Sequence, residues 1–135
     1  MTKTDHEIHF IGIGGIGMSG LARICHERGY TVTGCDSNHG LAQRALQQAG
    51  IPVSIGHQVS HLTPGVGKVV YSSAVSLSQP ELVEARAQGI ATISRGQLLA
   101  DLAEGSKLVA VAGAHGKTTT SAMAAQLLLQ AGWDP

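Results

Sequence analysis

The sequence predicts an α/β fold: a Rossmann-like parallel sheet flanked by helices, followed by the first strand, phosphate loop and helix of a second α/β unit. Three observations carry this reading. Short apolar, β-rich runs alternate with helical patterns along the whole chain, and parallel strands need helical crossovers. A glycine-rich turn, Gly12–Gly17, joins the first strand pattern to the first helix pattern. A second one, from Gly113, joins the last strand pattern to the last helix pattern.

The elements follow in order. Residues 8–13 are apolar and read as the first strand. Residues 18–28 place Met18, Leu21, Ala22 and Cys25 at helical spacing, with Gly29 as a stop. A short second strand covers 31–34, and a helix over 41–49 is closed by Gly50. Strands are expected over 52–55 and 68–72. Pro80 opens a helix that ends before Gly89, the usual asymmetry of helix ends. A fifth strand covers 90–93, and a helix over 96–103 sets Leu98, Leu99 and Leu102 on its apolar side. Gly105-Ser106 reads as a hinge, which divides the chain into a domain over 1–105 and the start of another over 106–135. In that second part, 108–112 is expected as a sixth strand and 117–130 as a helix with Ala122, Ala125, Leu128 and Leu129 on one face. A helix whose sheet is one strand should be unstable, or associate, unless it docks elsewhere.

Composition narrows the function. Acidic and basic residues balance at 9 each, with no run of either sign. That argues against a phosphate-neutralising face for nucleic acid. Aromatic residues make up 3% of the chain, too few for base-stacking platforms. No apolar stretch reaches the length of a membrane span, and the N-terminus lacks a signal-peptide layout. A soluble cytoplasmic protein is the expectation. Cys25 and Cys35 form no Cys-x-x-Cys pair and read as small, reduced, buried thiols. No His-Glu-x-x-His spacing occurs, and although His57 and His61 stand four residues apart, no protein-held zinc is expected.

Gly12-Ile-Gly-Gly-Ile-Gly17 fits G-x-G-x-x-G between strand and helix. In that fingerprint the first glycine permits a tight turn. The second, Gly14, lets a pyrophosphate approach the backbone, and the third, Gly17, lets the helix pack closely. Asp36 ends the second strand about 20 residues further on, where an acid bonds ribose hydroxyls. The pattern specifies a diphosphate and a ribose; it does not separate NAD from a UDP-sugar.

The second loop departs from the strict G-x-x-x-x-G-K-[ST] signature, because Val111 stands where its first glycine belongs. The shorter Gly113-Ala-His-Gly-Lys-Thr remains, and a Gly-x-x-Gly turn at a helix start still gathers N–H groups into an anion nest. Gly113, Ala114, His115, Gly116 and Thr119 would line the triphosphate. Lys117 would neutralise its outer phosphates, and the Thr118 hydroxyl suits Mg²⁺. A free-standing NAD module leaves this loop without a task, and a simple ATP-binding regulator leaves the first one idle. Both together fit an enzyme that holds a nucleotide-linked substrate in one domain and phosphorylates it from the next.

Among other residues, His57 follows a strand end on the ligand side of a parallel sheet and is the best histidine for a ligand contact. His6, His9, His26, His39 and His61 look ordinary. Ser72-Ser73 has no G-x-S-x-G around it and reads as hydroxyl donors rather than a nucleophile. Arg95 opens a helix and faces either a substrate phosphate, the next domain or solvent.

Four segments carry a family resemblance: HFIGIGGIGMSGLA (His9–Ala22), GCD (Gly34–Asp36), YSSAV (Tyr71–Val75) and AGAHGKTTT (Ala112–Thr120). Together they resemble the Mur ligases, enzymes of peptidoglycan biosynthesis, in order and across essentially the whole chain. Within the family the Gly-Gly-Ile-Gly-Met-Ser form is most similar to the members that join L-alanine to UDP-N-acetylmuramate. The members that recycle murein tripeptide tend to lack it. Ala114 stands where Thr is commoner in the family, and Cys35 where Ser is.

The resemblance implies an ATP- and Mg²⁺-dependent ligase that forms a C–N bond through an acyl phosphate. It implies that Gly12, Gly14, Gly15, Ile16, Gly17, Met18 and Ser19 face the diphosphate of UDP-N-acetylmuramate. Asp36 would contact the uridine, and His57, Ser72 and Ser73 would complete the pocket. Lys117 and Thr118 would serve ATP and its metal. Family members run several times longer, so the chain is expected to be an N-terminal portion that binds the UDP-sugar without catalysing by itself.

Overall fold

The structure, a computed structural model, describes residues 6–135. Residues 1–5, part of the N-terminal stretch that lacks a signal-peptide layout, lie outside the described part. Contacts divide the chain into two compact units, one ending at Leu102 and one covering Ala103–Pro135.

The first unit is a five-stranded sheet, with β1 (Glu7–Ile11), β2 (Thr31–Asp36), β3 (Val53–Ile55), β4 (Val66–Tyr71) and β5 (Ala91–Ser94). Strand order is β3-β2-β1-β4-β5, and every pairing is parallel. The connections carry α1 (Ile16–Glu27), α2 (Leu41–Gln48) and α3 (Pro80–Ala87), with α4 (Arg95–Ala103) after β5. A single 3₁₀ turn, Val59–His61, precedes β4.

Alternation along β1 sends its residues to two cores. Ile8 and Phe10 pack with Met18, Leu21, Ala22 and Cys25 of α1, Leu46 of α2 and Leu98 of α4. Ile11 packs on the other face with Cys35, Val69, Leu82 and Ala85. Helices therefore cover both faces, α3 alone among them on the Ile11 side. Gly34 is required by close packing: a Cβ there would lie 2.5 Å from Ile13 Cδ1 and 2.8 Å from the Phe10 carbonyl. The strand bounds differ from the expected ones by one or two residues in both directions: β2 runs on to Asp36, whereas β1 already ends at Ile11. Of the three leucines assigned to the apolar side of α4, Leu99 is exposed while Leu98 is buried.

The second unit contains α5 (Lys117–Gln130), preceded by an irregular, largely exposed segment. The expected sixth strand over 108–112 is not formed. A strand is stabilised by its ladder, and no strand pairs with this segment among the described residues. Consistently, α5 buries none of its residues. No helix among the described residues is long and apolar enough to cross a membrane.

Candidate nucleotide-binding site

The glycine loop occupies the carboxyl ends of the strands, beside the point where strand order reverses between β1 and β4. Ligands bind open parallel sheets at such switch points. Gly12 has φ +79°, a conformation that favours glycine, and a Cβ on it would lie 3.2 Å from Val75 and 3.3 Å from Ser72. Its N–H and that of Ile13 both donate to the Cys35 carbonyl, at 2.8 and 3.1 Å. Gly15 caps α1, and the first intrahelical bond runs from Ser19 N–H to its carbonyl at 2.8 Å. The N–H groups of Ile16, Gly17 and Met18 thus lack intrahelical acceptors, which is the anion-binding property of a helix start.

Side chains of the loop divide in an instructive way. Ile16 is 95% exposed, whereas Met18 is buried in the core, so only the backbone of Met18 can face a ligand. Ser19 turns its hydroxyl back to the Ile16 carbonyl at 3.1 Å. A Cβ on Gly17 would lie 3.0 Å from an Arg95 guanidinium nitrogen, so this glycine makes room for arginine rather than for the strand. Arg95 is thereby brought to the loop, a placement that sequence alone left open.

Asp36 accepts the Gly14 N–H at 2.8 Å with Oδ2 and the Asn38 N–H at 3.2 Å with Oδ1. The carboxylate therefore braces the loop. Buried Gln43 of α2 stands beside it, bonded to Gly40 N–H and the Asn38 carbonyl. Ser72 follows β4, bonds the Ile11 carbonyl through its N–H at 3.2 Å and accepts the Ala74 N–H on its hydroxyl at 3.3 Å. Ser73 beside it is exposed. His57 follows β3, with Nδ1 directed inward, 3.3 Å from Cys35 Sγ and 3.1 Å from Glu81 Oε2.

That contact leads to a group the sequence reading passed over. Glu81, fully buried in the first turn of α3, receives His61 Nδ1 at 2.7 Å, the Cys35 thiol at 3.2 Å and the Gln58 N–H at 3.3 Å on Oε1. His9 Nε2 lies 3.9 Å from the same oxygen. Burial holds His9 down at about 4, against the attraction of Glu81 and with the help of His61 and His57. Burial and the Glu81 charge push the Cys35 thiol up, and burial does the same to Cys25. Both cysteines are free and buried. The signal for the cluster is faint: a histidine within the apolar strand, and an acid after the proline of α3.

In the second unit, Gly116 caps α5 at φ +78° and Gly113 has φ +155°. Lys117 Nζ donates to the Gly113 carbonyl at 2.7 Å, closing the loop on itself. Ala114, His115, Thr118 and Thr119 are exposed around it.

The fold and the first loop define a Rossmann-like α/β protein with a diphosphate-type glycine fingerprint at its switch point. The model of the Mur ligase family, catalytic domain, matches residues 7–107. The chain belongs to the Mur ligase family. It is 51% identical to the UDP-N-acetylmuramate–L-alanine ligase of Carboxydothermus hydrogenoformans over 128 residues, 95% of this chain and 28% of that protein. Among solved structures it is similar to the UDP-N-acetylmuramate–alanine ligase of Thermotoga maritima, with TM-score 0.84 and 35% identity, covering 90% of this chain and 29% of the other. It is also similar to a murein peptide ligase from Psychrobacter arcticus, with TM-score 0.88 and 35% identity, covering 94% of this chain and 27% of the other. The chain thus spans under a third of the length of these relatives. The family match ends before Gly113, so the second loop lies outside it.

Proposed function

We propose that this chain is the UDP-sugar-binding N-terminal portion of a ligase that joins L-alanine to UDP-N-acetylmuramate. The observation that carries the reading is the loop at Gly12–Gly17, with three unpaired N–H groups at the α1 start and Asp36 braced beside it. The diphosphate sits on the N–H groups of Ile16, Gly17 and Met18, where the helix dipole favours negative charge. Arg95 adds a cation at the Gly17 side. Ser72 and Ser73 offer hydroxyls, and the outer edge of His57 closes the β3 end. Asp36 holds the loop through Gly14 and leaves Oδ1, shared with Asn38, for the uridine ribose.

The second loop prepares the partner half of the reaction. Gly113 to Thr119 cradle a triphosphate, Lys117 turns from the Gly113 carbonyl to the outer phosphates, and the Thr118 hydroxyl ligates Mg²⁺. ATP supplies the phosphoryl group that activates the lactyl carboxylate as an acyl phosphate, which the amine of L-alanine displaces with release of phosphate. L-alanine as the amine, rather than a tripeptide, is supported by the name of the Carboxydothermus relative and by the Gly-Gly-Ile-Gly-Met-Ser form. The isolated chain binds its sugar nucleotide without turnover.

Calorimetric titration with UDP-N-acetylmuramate, UDP and NADH tests the reading. Uridine ligands bind, and NADH does not compete with them. Preference for NADH would make the chain a dinucleotide module instead.

A further inference from the structure

We propose that His9, Cys35, His61 and Glu81 form a site for one divalent transition-metal ion, with Zn²⁺ the occupant best matched to the donor set. Their ligand atoms all lie within 4.8 Å of one another. A tetrahedral Zn²⁺ with bonds of about 2.0–2.3 Å sets its ligands roughly 3.3–3.8 Å apart, so the widest pair closes by about 1 Å on binding. One thiolate, one carboxylate and two imidazoles are borderline-soft donors whose two negative charges neutralise the ion. His57, in contact with Cys35 and Glu81, supports the set from one side.

The second observation is His9 itself. This side chain is 2% exposed, and its Nε2 has no hydrogen-bond partner among the described residues. The other ring nitrogen, Nδ1, lies 2.9 Å from Thr33 Oγ1. When Nδ1–H donates to that hydroxyl, the Nε2 lone pair is presented to the cluster. A metal-ligating histidine is commonly oriented through its other nitrogen in this way. A buried, unpaired ring nitrogen is costly in a purely hydrogen-bonded network, and ligation removes the cost.

The four ligands come from four elements: β1, the end of β2, the 3₁₀ turn and the first turn of α3. Entry is open on the side of His57 and His61, whose side chains are 18% and 15% exposed. Ligation exchanges the Cys35 thiol proton for the ion, and the proton leaves to solvent. The His61 proton shared with Glu81 moves to its outer nitrogen. The Cys35 carbonyl also holds the Gly12 and Ile13 N–H groups, so the ion would fix the floor of the glycine loop. This site stands whether or not the loop binds a UDP-sugar.

The test is titration of the chelator-treated, full 135-residue chain with Co²⁺. One equivalent binds, with a thiolate-to-metal charge-transfer band and the visible bands of tetrahedral cobalt, and Zn²⁺ displaces it. Near neutral pH about one proton appears per Zn²⁺ bound. Cys35→Ser abolishes the charge-transfer band. His61→Gln, which lies outside the two apolar core clusters and keeps a hydrogen-bonding amide beside Glu81, weakens Zn²⁺ at least tenfold. His26→Gln and His39→Gln, on exposed surface, leave affinity unchanged. Circular dichroism verifies the fold of each variant. Binding without a thiolate band, affinity indifferent to His61→Gln, or no binding at micromolar Zn²⁺ would each overturn the proposal.

Discussion

The Gly14 N–H donates to Asp36 Oδ2 at 2.8 Å, and a Cβ on Gly14 would fall 2.9 Å from that oxygen and 2.7 Å from Gln43 Nε2. One residue thus meets two demands: its amide anchors the loop, and its missing side chain leaves room for the anchor. Gly14→Ala should push Asp36 and Gln43 aside and lower affinity for uridine ligands at least tenfold. Calorimetry checks this, and unchanged affinity would separate the loop from the ligand.

Asp36→Ala removes the acceptor of two backbone N–H groups. Such bonds to a charged group contribute roughly 1.5–3 kcal/mol, and partial exposure of this one places the loss near the lower end. Denaturant midpoints should fall accordingly, and uridine affinity should fall with them. Asp36→Asn should recover most of the stability, because the amide oxygen still accepts the Gly14 N–H.

Gly34→Ala tests the packing of β2. The added methyl meets the Phe10 carbonyl, which cannot move without disturbing β1, as well as Ile13. Overpacking of this kind costs about 1–3 kcal/mol or more. A melting temperature equal to that of the parent chain would show that β1 and Ile13 yield to the methyl without cost.

The metal-free protein should lose stability as pH falls from 6.5 toward 4. His9 is faced by Glu81 from α3, by His61 from the 3₁₀ turn, by His57 after β3 and by Thr33 and Cys35 of β2. Unfolded, its imidazole protonates at the ordinary 6.5; folded, only at about 4. The unfolded chain therefore binds the extra proton across that window. The His9 contribution is fully present above 6.5 and declines at roughly 1 kcal/mol per pH unit below it. Urea midpoints in the presence of a chelator read this slope directly, and His9→Gln should flatten it.

Amide hydrogen exchange should separate the two units. Amides of β1, paired on both sides, should exchange at the slowest rates in the chain, whereas those of α5 should approach the rates of an isolated helix. Strong protection of residues 117–130 would reveal a partner surface for that helix.

The sheet was legible because its signals are local. Alternating elements, helix-stopping glycines and Pro80 each report on their own few residues, and the boundaries erred by one or two residues in both directions, because pairing rather than the apolar run sets where a strand ends. The strand expected at 108–112 failed for the opposite reason: its residues have strand character, but a ladder requires a neighbour. The glycine loop was legible in composition and less so in role. Gly17 makes room for Arg95, and Met18 turns inward, because helix phase rather than motif position decides direction. The His9–Cys35–His61–Glu81 cluster was barely legible. Its members are spread over four elements; the parallel register sets His9 beside β2, and the packing of the 3₁₀ turn and α3 brings in His61 and Glu81.

The placement of β1 at the middle of the sheet has a consequence for biosynthesis. β1 is made well before one of its neighbours, β4, which lies at Val66–Tyr71. With no hairpin to nucleate the sheet, a nascent chain on the ribosome can pair β1 with β2 early but must leave its other edge bare until β4 emerges. That edge is the apolar run Ile8–Ile11 with only a histidine to interrupt it, and it is the stretch for which chaperones and neighbouring nascent chains compete.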